Sequence, residues 1–415
     1  MAINTGDCAF VLICAAMVLL MTPALAFFYG GMVRRKNTLN TMLSCFFICG
    51  LAALMWVVFG YSLSFGTDHG GIIGGLNNLF LNGVGENINE AYAATIPELL
   101  FAAFQMMFAI ITPALICGAL AERMKFSSLF IFIAIWSIVV YYPLAHMVWG
   151  NGGFLRELGA VDFAGGNVVH ISSGISGLVA CIMLGKRRGY GMMAYKPHNI
   201  PFVFLGAALL WFGWFGFNAG SALGANGLAV HAFMTTNTSA AAALLSWMLI
   251  EKIKYGKPTL LGAGTGAVIG LVAITPGAGF VPIWASIIIG ALVSPICFFF
   301  MTKVKSKFGY DDALDAFGCH GIGGVWGGIA TGLFAKSSIN STAKWNGLVY
   351  GDTRLFFAQI LSIVITVAIA ATATFVIMFV IKKVTTIKVS QTDEAQGLDI
   401  AEHSETAYPA FTGLD

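Results

Sequence analysis

Long apolar stretches separated by short polar segments follow one another along the whole chain of 415 residues. Each stretch holds about 18 or more residues with very little charge, which is long enough to cross roughly 30 Å of hydrocarbon as a helix. The pattern therefore predicts an all-α polytopic membrane protein with eleven transmembrane helices. The predicted spans are residues 8–33, 39–65, 97–121, 126–148, 166–184, 200–220, 228–250, 260–279, 283–302, 313–335 and 355–381.

Composition supports one large membrane domain. The chain is 58% hydrophobic and only 10% charged, whereas soluble domains carry about 25% charged residues. We expect a transmembrane domain over residues 1–381 and a polar C-terminal tail over residues 382–415. The net charge of +3 includes no basic arm, so the sequence gives no support for a nucleic-acid partner.

The cysteines and the N-terminus carry little chemistry. The eight cysteines lie in or beside apolar runs, without metal-ligand spacing, and we interpret them as small buried hydrophobic residues. We predict no metal and no cofactor. Residues 1–7 lack the basic segment of a signal peptide, so any leader would have been removed from this numbering.

The basic residues are distributed unevenly between alternate loops. Eighteen of the 22 Lys and Arg residues follow the odd-numbered spans. Short cytoplasmic loops carry such an excess. We therefore expect a multi-pass protein of the cytoplasmic (inner) membrane, with the N-terminus outside and the tail in the cytoplasm.

A motif spacing that occurs twice in the chain indicates an internal duplication. Asp162 precedes His170 by eight residues at the start of the fifth span, and Asp312 precedes His320 by the same number at the start of the tenth. Because the two spans run in opposite directions, we predict an inverted repeat of five plus five helices, with the eleventh added. The 50 glycines, dense over residues 318–332, predict close helix contacts.

His170 and His320 are the leading candidates for function. Each lies several residues into a span that enters from opposite faces, so both could approach the bilayer midplane. An ionisable group within a membrane span is a functional candidate, and burial disfavours the charged imidazole. The pair suits a small neutral molecule that forms hydrogen bonds. The alternative is a pair of structural histidines that bridge helices.

Aromatic residues and one serine form a second group near the predicted outer ends of three spans. Aromatic faces attract cations by roughly 0.5 to 2 kcal/mol, and a serine hydroxyl can accept a hydrogen bond from an ammonium ion. Interfacial aromatic belts are the alternative explanation. The candidates are Phe104 and Phe108 on the third span, Trp149 at the end of the fourth, and Trp214, Phe217 and Ser221 on the sixth.

Several motifs spread over nearly the whole chain resemble those of the ammonium transporter (Amt) family, bacterial or archaeal type, which is related to the Rhesus proteins. They are FYGGMVRRKN, GALAERMKF, AHMVWGNGG, DFAGGNVVH, WFGFNAGSA, ITPGAG and FGCHG. The resemblance implies a homotrimer with one hydrophobic pore in each subunit.

The resemblance also implies roles for individual residues. An outer cation site would comprise Phe108, Trp149 and Ser221, and a gate Phe108 and Phe217. The pore would be lined by His170, His320, Trp214 and Phe104. Asp162 would support the outer site structurally.

The expected mechanism follows from the cost of burying charge. Ammonium, or its analogue methylammonium, would bind at the outer site and lose its proton, because an apolar pore solvates a full charge poorly. Neutral ammonia would then pass the two histidines. Potassium has no proton to release and would be rejected. The sequence leaves open whether the proton follows by a separate route, which would make transport electrogenic.

The tail and the competing functions complete the expectations. In the family a matching tail packs on the cytoplasmic face, where a PII-type signal protein can bind; a disordered tail is the alternative. An ammonium sensor that signals through the tail is the main rival function. A cation channel would need carboxylates or carbonyls in the pore, and an enzyme would need a paired nucleophile. The sequence supports neither of these.

Overall fold

The computed structural model describes residues 2–408, which form a bundle of helices. Nine of the described helices are long and apolar enough to cross a membrane. The long helices are α1 (Thr5–Met32), α2 (Arg35–Phe65), α3 (Glu98–Leu120), α4 (126–149), α5 (Gly166–Leu184), α6 (Ile200–Gly220), α7 (Gly227–Tyr255), α8 (Leu260–Ile274), α9 (Ile283–Phe308), α10 (317–334) and α11 (Arg354–Val384). Two short helices follow, α12 (Gln391–Gln396) and α13 (Leu398–His403).

The fold class predicted from the sequence is confirmed. Every predicted span corresponds to one of α1 to α11. Helices α8 and α10 are not among the nine described helices that are long and apolar enough to cross a membrane. Helix α8 has only 15 residues, and glycines together with His320 lower the hydropathy of α10. The strands in the described chain form one small antiparallel hairpin after α2, β1 (Asp68–His69) and β2 (Ile73–Gly74).

Two helix ends differ from the predicted bounds for local reasons. Helix α8 ends at Ile274 rather than at residue 279, because Pro276 has no backbone N–H with which to continue the helical hydrogen bonds. Helix α10 begins at residue 317 rather than 313. The preceding Asp315 has a positive φ of 58°, which interrupts the helix.

Glycines bring the repeat-related helices into backbone contact. Helix α1 lies along α6, where a Cβ at Gly206 would stand 2.4 Å from the backbone nitrogen of Phe28. Helix α5 crosses α10, where a Cβ at Gly174 would stand 2.1 Å from the backbone nitrogen of Gly321. Such distances are possible only without side chains, so these glycines fix the spacing of the helices.

The described part of the tail is ordered against one end of the bundle. Asp399 accepts a hydrogen bond from the backbone N–H of Asn40 at 2.8 Å, and Asn37 Oδ1 accepts one from the backbone of Leu398 at 2.9 Å. Glu394 accepts one from the backbone of Arg188. The start of α2 and the loop after α5 thus hold the tail. Residues 409–415, which belong to the predicted tail, lie outside the described residues.

Candidate functional site

Helices α5 and α10 begin in the same unusual way. Each opens with a turn of π-helix, Gly166–Ile171 in α5 and Phe317–Ile322 in α10, and each turn carries a histidine. The two preceding aspartates cap these turns: Asp162 accepts from three backbone N–H groups at 2.6 to 2.8 Å, and Asp312 accepts from two. Carboxylates at helix N-termini are stabilising, so the repeated motif spacing corresponds to two equivalent helix starts.

The two histidine rings face each other. The rings of His170 and His320 have centroids 5.4 Å apart and planes 13° from parallel, and Trp214 stacks on the other side of His170 at 5.4 Å. Both ring nitrogens of His170 and Nδ1 of His320 are buried without a partner within residues 2–408. Buried polar atoms without partners are costly. The rings therefore offer donors and acceptors to a passing molecule.

The space around the histidines is narrow and apolar. It leaves about 10 Å³ for the centres of water-sized molecules, roughly enough for one. Apart from the two histidines and Trp214, it is lined only by apolar side chains. These are Met21, Leu25, Phe28, Ile111, Leu115, Val169, Leu210, Phe217 and Val268.

A wider cavity of about 560 Å³ lies beyond the aromatic residues and holds the predicted cation-site side chains. Phe108 and Trp149 meet edge to face with centroids 6.0 Å apart. The indole N–H of Trp149 donates to the carbonyl oxygen of Asp162 at 2.9 Å, and the hydroxyl of Ser221 donates to the carbonyl of Phe217 at 2.9 Å. The Ser221 oxygen therefore keeps its acceptor capacity for a ligand.

Two phenylalanines separate the wide cavity from the narrow one. Phe108 and Phe217 have centroids 4.4 Å apart, and both side chains are almost completely buried. Phe217 lies 6.1 Å from His170 on its inner side. Phe104 packs behind Phe108 and against Gly220. It borders neither of the two cavities, so it lies in the wall behind Phe108.

Asp162 is fixed within the protein and does not face a ligand. Its carboxylate accepts from the backbone of Gly165, Gly166 and Asn167. Burial raises the pKa of this carboxyl above its ordinary value, although the three N–H groups favour the charged form. Its carbonyl orients Trp149. The side chain thus links the start of α5 to the outer cavity.

Sequence reasoning missed two polar clusters. His146, buried near the C-terminal end of α4, lies between the carbonyl of Ser64 at 3.0 Å and the carboxylate of Asp68 at 2.9 Å. Arg156 and Lys344 also border the outer cavity. His146 falls inside the predicted fourth span, so the rule that flags ionisable groups within spans could have found it.

The second missed cluster is a buried ion network at the lysine-rich end. Arg187 forms two hydrogen bonds with the carboxylate of Asp311 and contacts Glu122 at 2.9 Å; Arg34 contacts the other oxygen of Glu122 at 2.9 Å. Burial alone would raise the pKa of Glu122, but Arg187 and Arg34 hold it below its usual value. These residues come from four separate interhelical loops. Counting basic residues loop by loop does not show that the four loops meet.

The site has no metal-binding character in the part of the chain that the structure describes. Residues 2–408 contain no group of three or more His, Cys, Asp or Glu side chains that could hold a metal ion. The eight cysteines are free, and six of them are buried.

A helix bundle of this length, with two cavities separated by an aromatic pair, defines a multi-pass membrane transporter. The sequence model of the Ammonium Transporter Family matches residues 9–408. The chain is 52% identical over 403 residues to the ammonium transporter of Bacillus subtilis (strain 168), an alignment covering 97% of this chain and 98% of that relative. The chain therefore belongs to the ammonium transporter family.

Solved structures agree with this assignment. The chain is similar to the crystal structure of Saccharomyces cerevisiae Mep2, with a TM-score of 0.89 and 33% identity over 99% of this chain and 93% of Mep2. It is also similar to a solved sensor Amt protein, with a TM-score of 0.87 and 27% identity over 96% and 98% of the two chains. The membership that the motifs predict is confirmed. The family is one of transporters, not enzymes, and supports ammonium as substrate.

Proposed function

We propose that this chain recruits ammonium at the outer cavity and conducts it as neutral ammonia past His170 and His320. The observation that carries the proposal is the pair of stacked imidazoles, which have unpaired nitrogens and lie in an otherwise apolar passage. A cation would find too few ligands there to replace its hydration shell. Ammonia, which is neutral and both donates and accepts hydrogen bonds, fits the lining.

The recruitment of ammonium and the rejection of potassium both involve the wider cavity. The faces of Phe108 and Trp149 attract a small cation by roughly 0.5 to 2 kcal/mol, and the Ser221 oxygen accepts one N–H. Potassium can occupy such a site but carries no proton to release. The Phe108–Phe217 pair then acts as a gate that opens only transiently for the neutral molecule.

The proton released at the outer site has two possible fates. It returns to the outer solution, or it crosses separately along the histidine pair, since each imidazole can both bind and release a proton. Currents on a supported membrane after ammonium pulses, with and without a pH gradient, distinguish the two. Charge movement that scales with ammonium flux supports the separate route.

The central test changes both histidines. We expect His170→Ala combined with His320→Ala to abolish selective methylammonium uptake in proteoliposomes, while thermal unfolding in detergent shows that the variant folds. His69→Ala, at an exposed position on the outer hairpin, is the matched control and should transport normally. Unchanged flux and selectivity in the double variant would remove these residues from the pore.

An ammonium sensor is the second candidate, favoured by the similarity to a sensor Amt protein. A sensor would bind ammonium in the same cavity but pass little of it. Comparison of binding with uptake in the same preparation separates the two functions. Uptake that saturates with the binding curve supports the transporter, whereas binding without uptake supports the sensor.

We further propose that the chain lies in the cytoplasmic membrane with its N-terminus outside and residues 382–415 in the cytoplasm. The distribution of Lys and Arg supports this orientation. Single reporter cysteines at residues 3 and 405, in a background without the native cysteines, should be labelled from outside and inside, respectively. The reverse pattern would overturn the orientation.

The assembly that we propose is a homotrimer regulated by a PII-type signal protein at the cytoplasmic face. The extensive exposed apolar surface supports burial against lipid and other subunits, and the docked tail offers an ordered cytoplasmic surface. Mass measurement in detergent tests the trimer. A pull-down with a PII protein, with and without nucleotide, tests the partner; no nucleotide-dependent complex would contradict it.

A further inference from the structure

An apolar groove runs along the lipid-facing side of the bundle between α4 and α11. Its volume is about 740 Å³, and its surface is almost entirely apolar. Small side chains of α11 form its floor. The groove is lined by Ile135, Val139, Ala368, Ile369, Thr372, Ala373, Val376, Ile377 and Val380.

The length of the groove matches one leaflet of a bilayer. From Ala368 to Val380 the helix rises about 18 Å, and half of the hydrocarbon core is about 15 Å thick. On α4 the groove is bordered by the π-turn Ser137–Tyr141, which displaces the backbone from regular α-helical packing. Exposed Phe375 and Phe379 lie beside the groove on α11.

A second, polar pocket lies at the end of the same helix. It has a volume of about 500 Å³ and is lined by Met183, Leu184 and residues 382–388. Val376, Val380 and Lys383 are four and three residues apart, so they share one face of α11. The apolar groove therefore leads toward Lys383 and the pocket around it.

Two lysines of this pocket have no acidic partner in the described part of the chain. Lys382 and Lys383 are exposed, and neither forms an ion pair within residues 2–408. Lys388 is engaged, since its ammonium group donates to the carbonyl of Lys186 at 2.5 Å and lies 3.7 Å from the carboxylate of Glu394. Two unpaired cations at the end of a leaflet-long apolar groove are complementary to an amphipathic anion.

We propose that this groove and pocket bind one anionic phospholipid, with an acyl chain between α4 and α11 and the phosphate at Lys382 and Lys383. Basic pockets at the cytoplasmic ends of membrane helices bind anionic headgroups, and each nearby lysine contributes about 1 kcal/mol. A second copy of this chain packed through the same face would bring the lysines of both copies together. The inference uses the proposed orientation, but its test reads lipid binding and not ammonium transport.

The headgroup is tested with the full chain in detergent. Native mass spectrometry measures the binding of phosphatidylglycerol and of phosphatidylcholine with identical acyl chains. We expect the wild type to favour phosphatidylglycerol, and Lys382→Gln with Lys383→Gln to weaken its binding roughly thirtyfold without affecting phosphatidylcholine. Lys303→Gln with Lys307→Gln, two exposed lysines at the end of α9, is the matched control and should bind as wild type.

The groove is tested by filling it. Thr372→Phe projects a ring into the groove from an exposed position and should weaken the binding of both lipids, whereas Val364→Phe, exposed on the same helix outside the groove, should not. If Lys382→Gln with Lys383→Gln and Lys303→Gln with Lys307→Gln lost phosphatidylglycerol binding equally, the attraction would be non-specific and the proposed site would be wrong. A change of oligomeric state in Thr372→Phe would instead assign the groove to a protein contact and overturn the lipid proposal.

Discussion

At the scale of single residues, the chemistry rests on buried imidazole nitrogens that lack partners among the described residues. The nitrogens of His170 are buried and free, whereas nearby Trp214 donates its indole N–H to Thr275 at 2.9 Å. Polar groups in protein interiors are usually paired. Among the buried side-chain atoms without a partner in residues 2–408, three belong to the histidine pair, and His170 leaves both ring nitrogens unpaired, which supports the proposed role of the pair in the substrate pathway. Residue type and spacing identified this pair from the sequence alone.

Asp162 provides the first prediction. Asp162→Ala leaves three buried N–H groups at the start of α5 without an acceptor, and each orphaned donor costs about 1 to 3 kcal/mol. We expect the free energy of unfolding to fall by about 3 kcal/mol or more and methylammonium uptake to be lost. Asp162→Asn keeps one acceptor oxygen, so it should lower the free energy of unfolding by less. Thermal unfolding in detergent and uptake in proteoliposomes measure both.

The control for Asp162 is Asp352→Ala. Asp352 accepts from the backbone of Arg354 and pairs with its side chain at an exposed site near the start of α11. Exposed pairs contribute about 1 kcal/mol or less. A loss as small in Asp162→Ala as in Asp352→Ala would contradict the supporting role of Asp162.

At the scale of helices, close crossings decide where the pore residues meet. Gly174 on α5 touches the backbone of Gly321, which follows His320 directly on α10. The glycine-rich sequence of α10 predicts close packing, but it does not say which glycine meets which helix. The π-turns that aim the two histidines had no sequence signal, because they arise where capping and packing together favour an extra residue in a turn.

This crossing gives a second prediction. Gly174→Ala places a Cβ about 2.1 Å from the backbone of Gly321, so α5 and α10 must separate and shift the two rings. Overpacking of this kind costs typically 1 to 3 kcal/mol, and we expect uptake to fall to background. Gly50→Ala, in α2 with nothing within 4 Å of the added Cβ, should leave uptake and thermal stability nearly unchanged. Equal behaviour of the two variants would contradict the argument.

The docked tail gives a third prediction. Asp399 is buried and holds the tail to the start of α2 through the backbone of Asn40. Asp399→Asn should weaken this contact, so trypsin should cleave faster after Lys388, beyond which the chain contains no Lys or Arg. Mass spectrometry follows the released peptide over time. Glu405→Gln, at an exposed position, is the control, and equal cleavage rates in both variants would show that Asp399 is not the latch.

At the scale of the whole molecule, one end of the bundle contains a network of buried ion pairs. Glu122, Arg187 and Asp311 connect loops that are far apart in sequence, and the tail packs beside them. Removing one partner of a buried ion pair typically costs 3 to 5 kcal/mol. The network therefore ties the helix ends and the tail into one unit.

Acid should release this network. Because the folded-state pKa of Glu122 is lowered, its contribution to stability is present above the unfolded-state pKa of about 4.3 and is lost as pH falls through the lower folded value. Glu122→Gln should therefore lower the unfolding midpoint at pH 7, and the gap to wild type should narrow toward pH 3. Thermal unfolding in detergent across this range measures the gap.

The control for the acid prediction is Glu86→Gln, an exposed residue of the outer loop. It should unfold like wild type at every pH. A gap between wild type and Glu122→Gln that stays constant from pH 7 to pH 3 would show that Glu122 contributes by packing and not by its charge.

The sequence by itself determined that this is a membrane protein, where its helices lie, which loops carry most of the Lys and Arg, and which histidines and aromatic residues are candidates for the substrate pathway. The length of apolar runs, composition and loop charge are local properties of the chain. Only the tertiary structure decided that the rings of His170 and His320 stack at 5.4 Å, that Phe104 lies behind Phe108, and that Arg187 meets both Glu122 and Asp311. Such distances depend on helix crossings between segments that are far apart in the chain. No local pattern encodes them, because each crossing is set by the fit of two surfaces at once.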